Sequence, residues 1–145
     1  RGPMRYFFAV FLTCVLVICG GCSSDEENTT TAGDYYRQAY QFIDAGHPRE
    51  AIDLLNLAIK KDPNYYEAYY NRGVVFYLLK DYQKAVDDFS KAIAIDPKNS
   101  SAYASRGEVH EIMRENEKAY SDYRTAARMG NGEARKYLTS KGMSW

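Results

Sequence analysis

Cysteine is scarce in this chain of 145 residues: three, at positions 14, 19 and 22, all near the N-terminus. The rest has no thiol, which excludes a disulfide-stapled scaffold and a cysteine-ligated zinc site there. Two histidines, His47 and His110, are too few for a histidine-built metal centre. An excess of one charge is also missing, because 19 Lys and Arg balance 19 Asp and Glu. A neutral chain lacks the basic field that draws in nucleic acid, so no nucleic-acid partner is expected. No Ser/His/Asp set, Gly-rich phosphate loop or Cys-x-x-Cys is present, so the chain is read as no enzyme, with no cofactor and no metal. The chain is rich instead in apolar residues, at 46%, and in tyrosine, with 14 copies. That is enough apolar surface for one folded domain.

Long apolar runs are absent but for one. Tyr6 to Cys19 holds fourteen uncharged residues after Arg1 and Arg5. This is the length of a signal-peptide core and falls short of the roughly 20 residues that cross a bilayer. Met4 is a plausible start, and residues 1–3 are read as extraneous. The run ends in Cys19-Gly20-Gly21-Cys22-Ser23-Ser24. Two glycines before a cysteine resemble the bacterial lipoprotein box, although Cys19 stands where that family usually has Leu. The resemblance implies a signal peptide over 1–21, lipidation of Cys22 and a lipid anchor in the bacterial cell envelope. Ser23 after the cysteine points to the outer membrane facing the periplasm, given a Gram-negative source. A short uncleaved anchor or a signal cut elsewhere are the alternatives at this point. Residues 22–31 are polar and poor in apolar groups, the composition of a flexible tether.

The remainder repeats itself. Asp62-Pro63 and Asp96-Pro97 lie 34 positions apart, and other columns keep the same register. Small residues form three of them: Ala39/Gly73/Gly107, Ala51/Ala85/Ala119 and Ala58/Ala92/Ala126. Larger ones form Tyr35/Tyr69/Tyr103, Leu55/Phe89/Tyr123 and Phe42/Phe76/His110. Within a copy, Tyr69, Gly73 and Phe76 recur at i, i+4, i+7, as do Ala85, Phe89 and Ala92, which predicts two amphipathic helices per copy. Gly46 suits a left-handed stop to the first helix and Pro48 the first turn of the second. Pro63 and Pro97 forbid a helix that runs on between copies.

A 34-residue helix-turn-helix period with these columns resembles the tetratricopeptide repeat (TPR). The resemblance covers about residues 32–133. It implies an all-α fold: a right-handed α-solenoid of three TPR repeats over 32–65, 66–99 and 100–133, then a capping helix and tail over 133–145. No hairpin of this kind buries its apolar face alone, so the copies must stack. Trp145 either packs on the cap or hangs free. His110 is expected to be a core substitution with a hydrogen-bond partner, the rival being a hydrolase built on it. Asp87, Asp88, Glu108, Glu111, Glu115 and Glu117 are expected on solvated helix faces.

In proteins of this family the first helix of each copy lines a groove that holds peptides. The matching positions are Tyr36, Tyr40 and Ile43; then Glu67, Tyr70, Asn71, Val74, Tyr77 and Leu78; then Ser101, Ser105, Glu108, Glu111 and Ile112. Tyrosine offers a large, rigid contact area with a polar tip, which suits a binding face. Glu108 and Glu111 make the far end acidic, complementary to a peptide with a basic flank. Some relatives clamp a terminal carboxylate with Lys, Arg and Asn; only Asn71 matches here, so that activity is not implied. The expected function is non-catalytic: a membrane-anchored scaffold or assembly factor holding a protein or peptide partner. The alternative is homo-oligomerisation through the same groove.

Overall fold

The computed structural model describes residues 30–145. The apolar run, Cys22 and the tether up to residue 29 lie outside the described residues. Seven α-helices and no strand make up the described part: α1 (Ala32–Asp44), α2 (Pro48–Lys61), α3 (Tyr66–Leu78), α4 (Tyr82–Ile95), α5 (Ser100–Ile112), α6 (Asn116–Arg128) and α7 (Gly132–Ser140). None of these helices is long and apolar enough to cross a membrane. The starts of α1, α3 and α5 step by 34 positions, and so do those of α2, α4 and α6.

Local chemistry sets the helix ends. Thr31 caps α1 in a reciprocal box: its hydroxyl accepts from the Asp34 N–H, while Asp34 accepts from the Thr31 N–H at 3.0 Å. The Asn99 and Asn131 side chains cap α5 and α7, accepting from Ser101 and Ala134 N–H groups. Each satisfies a donor that the first helical turn leaves without a partner. Pro48 opens α2, where its missing N–H costs nothing. The first helix of each hairpin ends on a left-handed residue, Gly46 (φ 76°), Lys80 (φ 62°) or Arg114 (φ 61°). The next N–H then reaches back five residues: His47 to Phe42, Asp81 to Phe76 and Glu115 to His110, at 2.8–2.9 Å. These are Schellman closures, and only the first copy has the glycine that makes one strain-free.

The alanine columns are fully buried at Ala39, Ala51, Ala58, Ala85, Ala92, Ala119 and Ala126. Leu55, Phe89 and Tyr123, one per hairpin, fill the space between the helices. Close packing explains the glycines facing the aromatics. A Cβ at Gly73 would lie 2.9 Å from Phe89 Cε1, and one at Gly107 would lie 3.3 Å from the Ala119 carbonyl oxygen. The Phe42 column does not behave uniformly: Phe42 is 38% exposed and only leans edge-on against His47, whereas His110 is buried. The α7 cap seats Ala134 and Leu138 on Ala127 and Tyr123 of α6. Arg135 holds Trp145 by a cation–π contact at 5.8 Å, although the indole remains half exposed.

Two polar clamps tie adjacent hairpins. The Arg72 guanidinium on α3 donates twice to Asp88 on α4, both at 2.7 Å, and reaches back to Asn56 on α2 at 2.6 Å. One period later Arg106 on α5 does the same with Asp122 on α6 and Ser90 on α4. Each arginine also lies over the tyrosine one turn earlier, Tyr69 or Tyr103. Asp88 is therefore buried and ion-paired, not solvated, because the arginine fork supplies two charge-assisted donors to it. Glu115 is likewise engaged, by Lys118 at 2.9 Å and His110 at 2.6 Å, and these contacts hold its pKa below the ordinary carboxylate value.

Candidate peptide-binding groove

The first helices of the hairpins lie side by side and are stitched by side chains on one face. Asn71 Nδ2 on α3 donates to Tyr36 Oη on α1 at 2.9 Å. Tyr70 on α3 shares a hydrogen bond with Ser105 on α5 at 3.2 Å. Tyr77 on α3 donates to Glu108 Oε1 on α5 at 2.7 Å, and that bond raises the pKa of the tyrosine. Six of the sequence-predicted groove residues thus meet across helix boundaries and form a continuous face.

The same bonds change what these residues present. Three of the four tyrosines at groove positions are half-buried with their hydroxyls committed, and Tyr70 is stacked on Tyr66 and packed against Phe89. Burial also pushes up the Tyr36 pKa. Asn71 spends its amide on Tyr36 and on the Glu67 carbonyl, so it is no ready donor to a terminal carboxylate. Tyr40 (50% exposed), Leu78 (62%) and Ile112 (42%) remain open along the rim, with Glu67, Ser101 and Glu108 also exposed. Ile43 and Val74 are half-buried beneath them. Glu111 is drawn inward, 3.5 Å from the Tyr123 hydroxyl and 3.7 Å from Lys141 Nζ.

Three depressions are left open. One of about 560 Å³ lies against α1, lined by Gly33, Tyr36, Arg37, Tyr40, Gln41 and Tyr65. Another, of about 200 Å³, is lined by Val74, Tyr77, Phe89, Ser105 and Glu108. A third, of about 220 Å³, shares Ser105 and Glu108 with it and adds Ala104, Tyr123, Glu133, Ala134 and Tyr137. Those five residues, with Tyr65, were missed by sequence reasoning. The column register could have found Ala104, but Glu133, Ala134 and Tyr137 belong to the cap, which breaks the repeat pattern.

His110 sits elsewhere, in a depression of about 520 Å³ lined by Arg106, Glu117, Lys118, Ser121 and Asp122. Its Nδ1 lies 2.6 Å from Glu115 Oε2 and its Nε2 4.0 Å from Asp122 Oδ2. Of the charged groups around it, Arg106 is paired with Asp122 and Lys118 with Glu115. His110 is a buried residue with a hydrogen-bond partner, Glu115.

The fold is an all-α TPR helical array. Residues 66–99, the α3–α4 hairpin, match the tetratricopeptide repeat. Residues 48–79 match the protein prenyltransferase alpha subunit repeat; they span α2 and α3, an antiparallel pair taken in the other phase. No curated protein matches the sequence. Among solved structures, the first TPR of Spaghetti (RPAP3) bound to the HSP90 peptide SRMEEVD is 25% identical, with a TM-score of 0.72 over 76% of this chain and 89% of that one. MamA is 26% identical with a TM-score of 0.72, over 81% of this chain and 72% of its own. The first TPR domain of human RPAP3 is 25% identical with a TM-score of 0.70, over 76% and 88%. The fold and these neighbours are those of a TPR interaction module.

Proposed function

We propose that the chain is a non-catalytic adaptor, lipid-anchored through Cys22 to the bacterial cell envelope, most simply the outer membrane facing the periplasm, which holds a polypeptide partner along the α1–α3–α5 face. The observation that carries the binding site is the continuous face with open depressions and an unfilled rim of Tyr40, Leu78 and Ile112. A neighbour of the same fold that holds a peptide supports the reading. The anchor rests on the apolar run and the Gly-Gly-Cys box.

A photo-crosslinking residue placed at Tyr40 or Leu78 should capture a partner in cells, while one at exposed Gln83 on α4 should not. Equal capture at both faces would refute the groove. Adducts made only of two copies of the chain would move the reading to self-association. Separately, Cys22→Ser should shift the protein from the membrane to the soluble fraction without changing its melting; a variant that stays membrane-bound and lipid-labelled removes the anchor.

A further inference from the structure

The C-terminal end of the groove differs from the rest in charge and in wall chemistry. Between α5 and α7 the 220 Å³ notch has the rings of Tyr123 and Tyr137 in its lining, packed 4.1 Å apart, with Ala104 and Ala134 too small to fill the space. Two carboxylates, Glu108 and Glu133, border it. Glu133 has no cation paired with it among the described residues, and Glu108 has given one oxygen to the Tyr77 hydroxyl. The two tyrosines keep their protons, since burial raises both pKa values and the carboxylate of Glu111 beside them adds to the effect. Both rings therefore stay neutral and add no charge that would offset the carboxylates.

The chain itself shows how a cation sits in this chemistry. Lys141 lies over the Tyr137 ring at 5.3 Å from its centroid and 3.7 Å from Glu111 Oε1, combining a cation–π contact with an ion pair. The notch brings the same two kinds of group, tyrosine rings and carboxylates, together on the groove side. The rest of the groove adds Glu67, while Lys141 is engaged by Glu111 and Tyr137 and Arg37 lies only at the α1 margin. The peptide SRMEEVD held by the RPAP3 neighbour carries three acidic side chains, the opposite of what this face would attract.

We propose that the notch between α5 and α7 receives a Lys or Arg side chain of an extended partner peptide, so that this groove selects basic segments with an apolar residue for the Leu78–Ile112 rim. The proposal rests on the groove reading and sharpens it.

The test is selection of peptides from a random phage-displayed library on the full chain, followed by anisotropy with the enriched peptides as labelled probes. Enrichment of Lys or Arg is expected. Glu108→Gln with Glu133→Gln should weaken those peptides about tenfold or more, while Glu117→Gln, outside the groove, leaves them unchanged. Raising ionic strength from about 0.01 to about 1 M, which shortens the Debye length from about 30 to about 3 Å, should weaken wild type more than the double variant. Binders that depend on Tyr40 and Leu78 but show no basic preference and ignore Glu108 and Glu133 would overturn the cation site and leave the groove intact. Absence of any binder sensitive to groove substitutions would overturn both.

Discussion

At Gly73 the backbone of α3 runs so close to Phe89 that a methyl group meets the ring at 2.9 Å and the Asp88 Cβ at 3.3 Å. Ala39 occupies the same column in the first hairpin because Leu55, not an aromatic ring, is its counterpart. Gly73→Ala is therefore expected to lower stability by about 1–3 kcal/mol, read as a lower urea midpoint at unchanged slope, despite the better helix propensity of alanine. Lys80 shows the reverse case. It holds φ at 62° in a turn where the first hairpin uses Gly46, and a left-handed conformation costs an L-residue about 1–2 kcal/mol. Lys80→Gly should raise stability by about 0.5–1 kcal/mol after the larger unfolded-state entropy of glycine is subtracted, seen as a higher Tm.

Among the helices, the arginine clamps decide how hairpins sit on one another. Arg72 and Arg106 each join three helices, through Asn56 and Asp88 or through Ser90 and Asp122. Removing one partner leaves a largely buried guanidinium unpaired, so Asp88→Ala is expected to cost about 2–4 kcal/mol in chemical denaturation. Replacing both partners, Arg72→Leu with Asp88→Leu, should restore much of that loss, since the desolvation of both charges disappears with them. A double variant as unstable as the single one would show that the pair itself, not the orphaned charge, carries the stability.

For the whole molecule, each hairpin touches its neighbours and little else, so the ends are the weak points of the stack. The third hairpin is protected by α7, whose Leu138 is fully buried against α6. Leu138→Ala should cost about 2–4 kcal/mol through the cavity it leaves. Hydrogen exchange should then speed up first in α6 and α7 while α1 and α2 keep their protection, as expected when neighbouring units open in turn. Uniform acceleration along the chain would mean that the array unfolds as one unit.

The repeat in the sequence was sufficient for the helices, their stops at Gly46 and Pro48, and the buried alanine columns, because spacing along a helix fixes which residues share a face. The same register placed the candidate positions on α1, α3 and α5. It could not say that Tyr36, Tyr70 and Tyr77 would spend their hydroxyls on Asn71, Ser105 and Glu108, since these partners lie 31 to 35 residues away and meet only when hairpins stack. Nor could it show that Asp88 and Asp122 are buried: a carboxylate on a helix reads as solvated until the arginine opposite it is in place. The notch closed by Glu133 and Tyr137 depends on a cap outside the period. Helical periodicity is a property of the chain, while pairing between helices depends on distances that only packing sets.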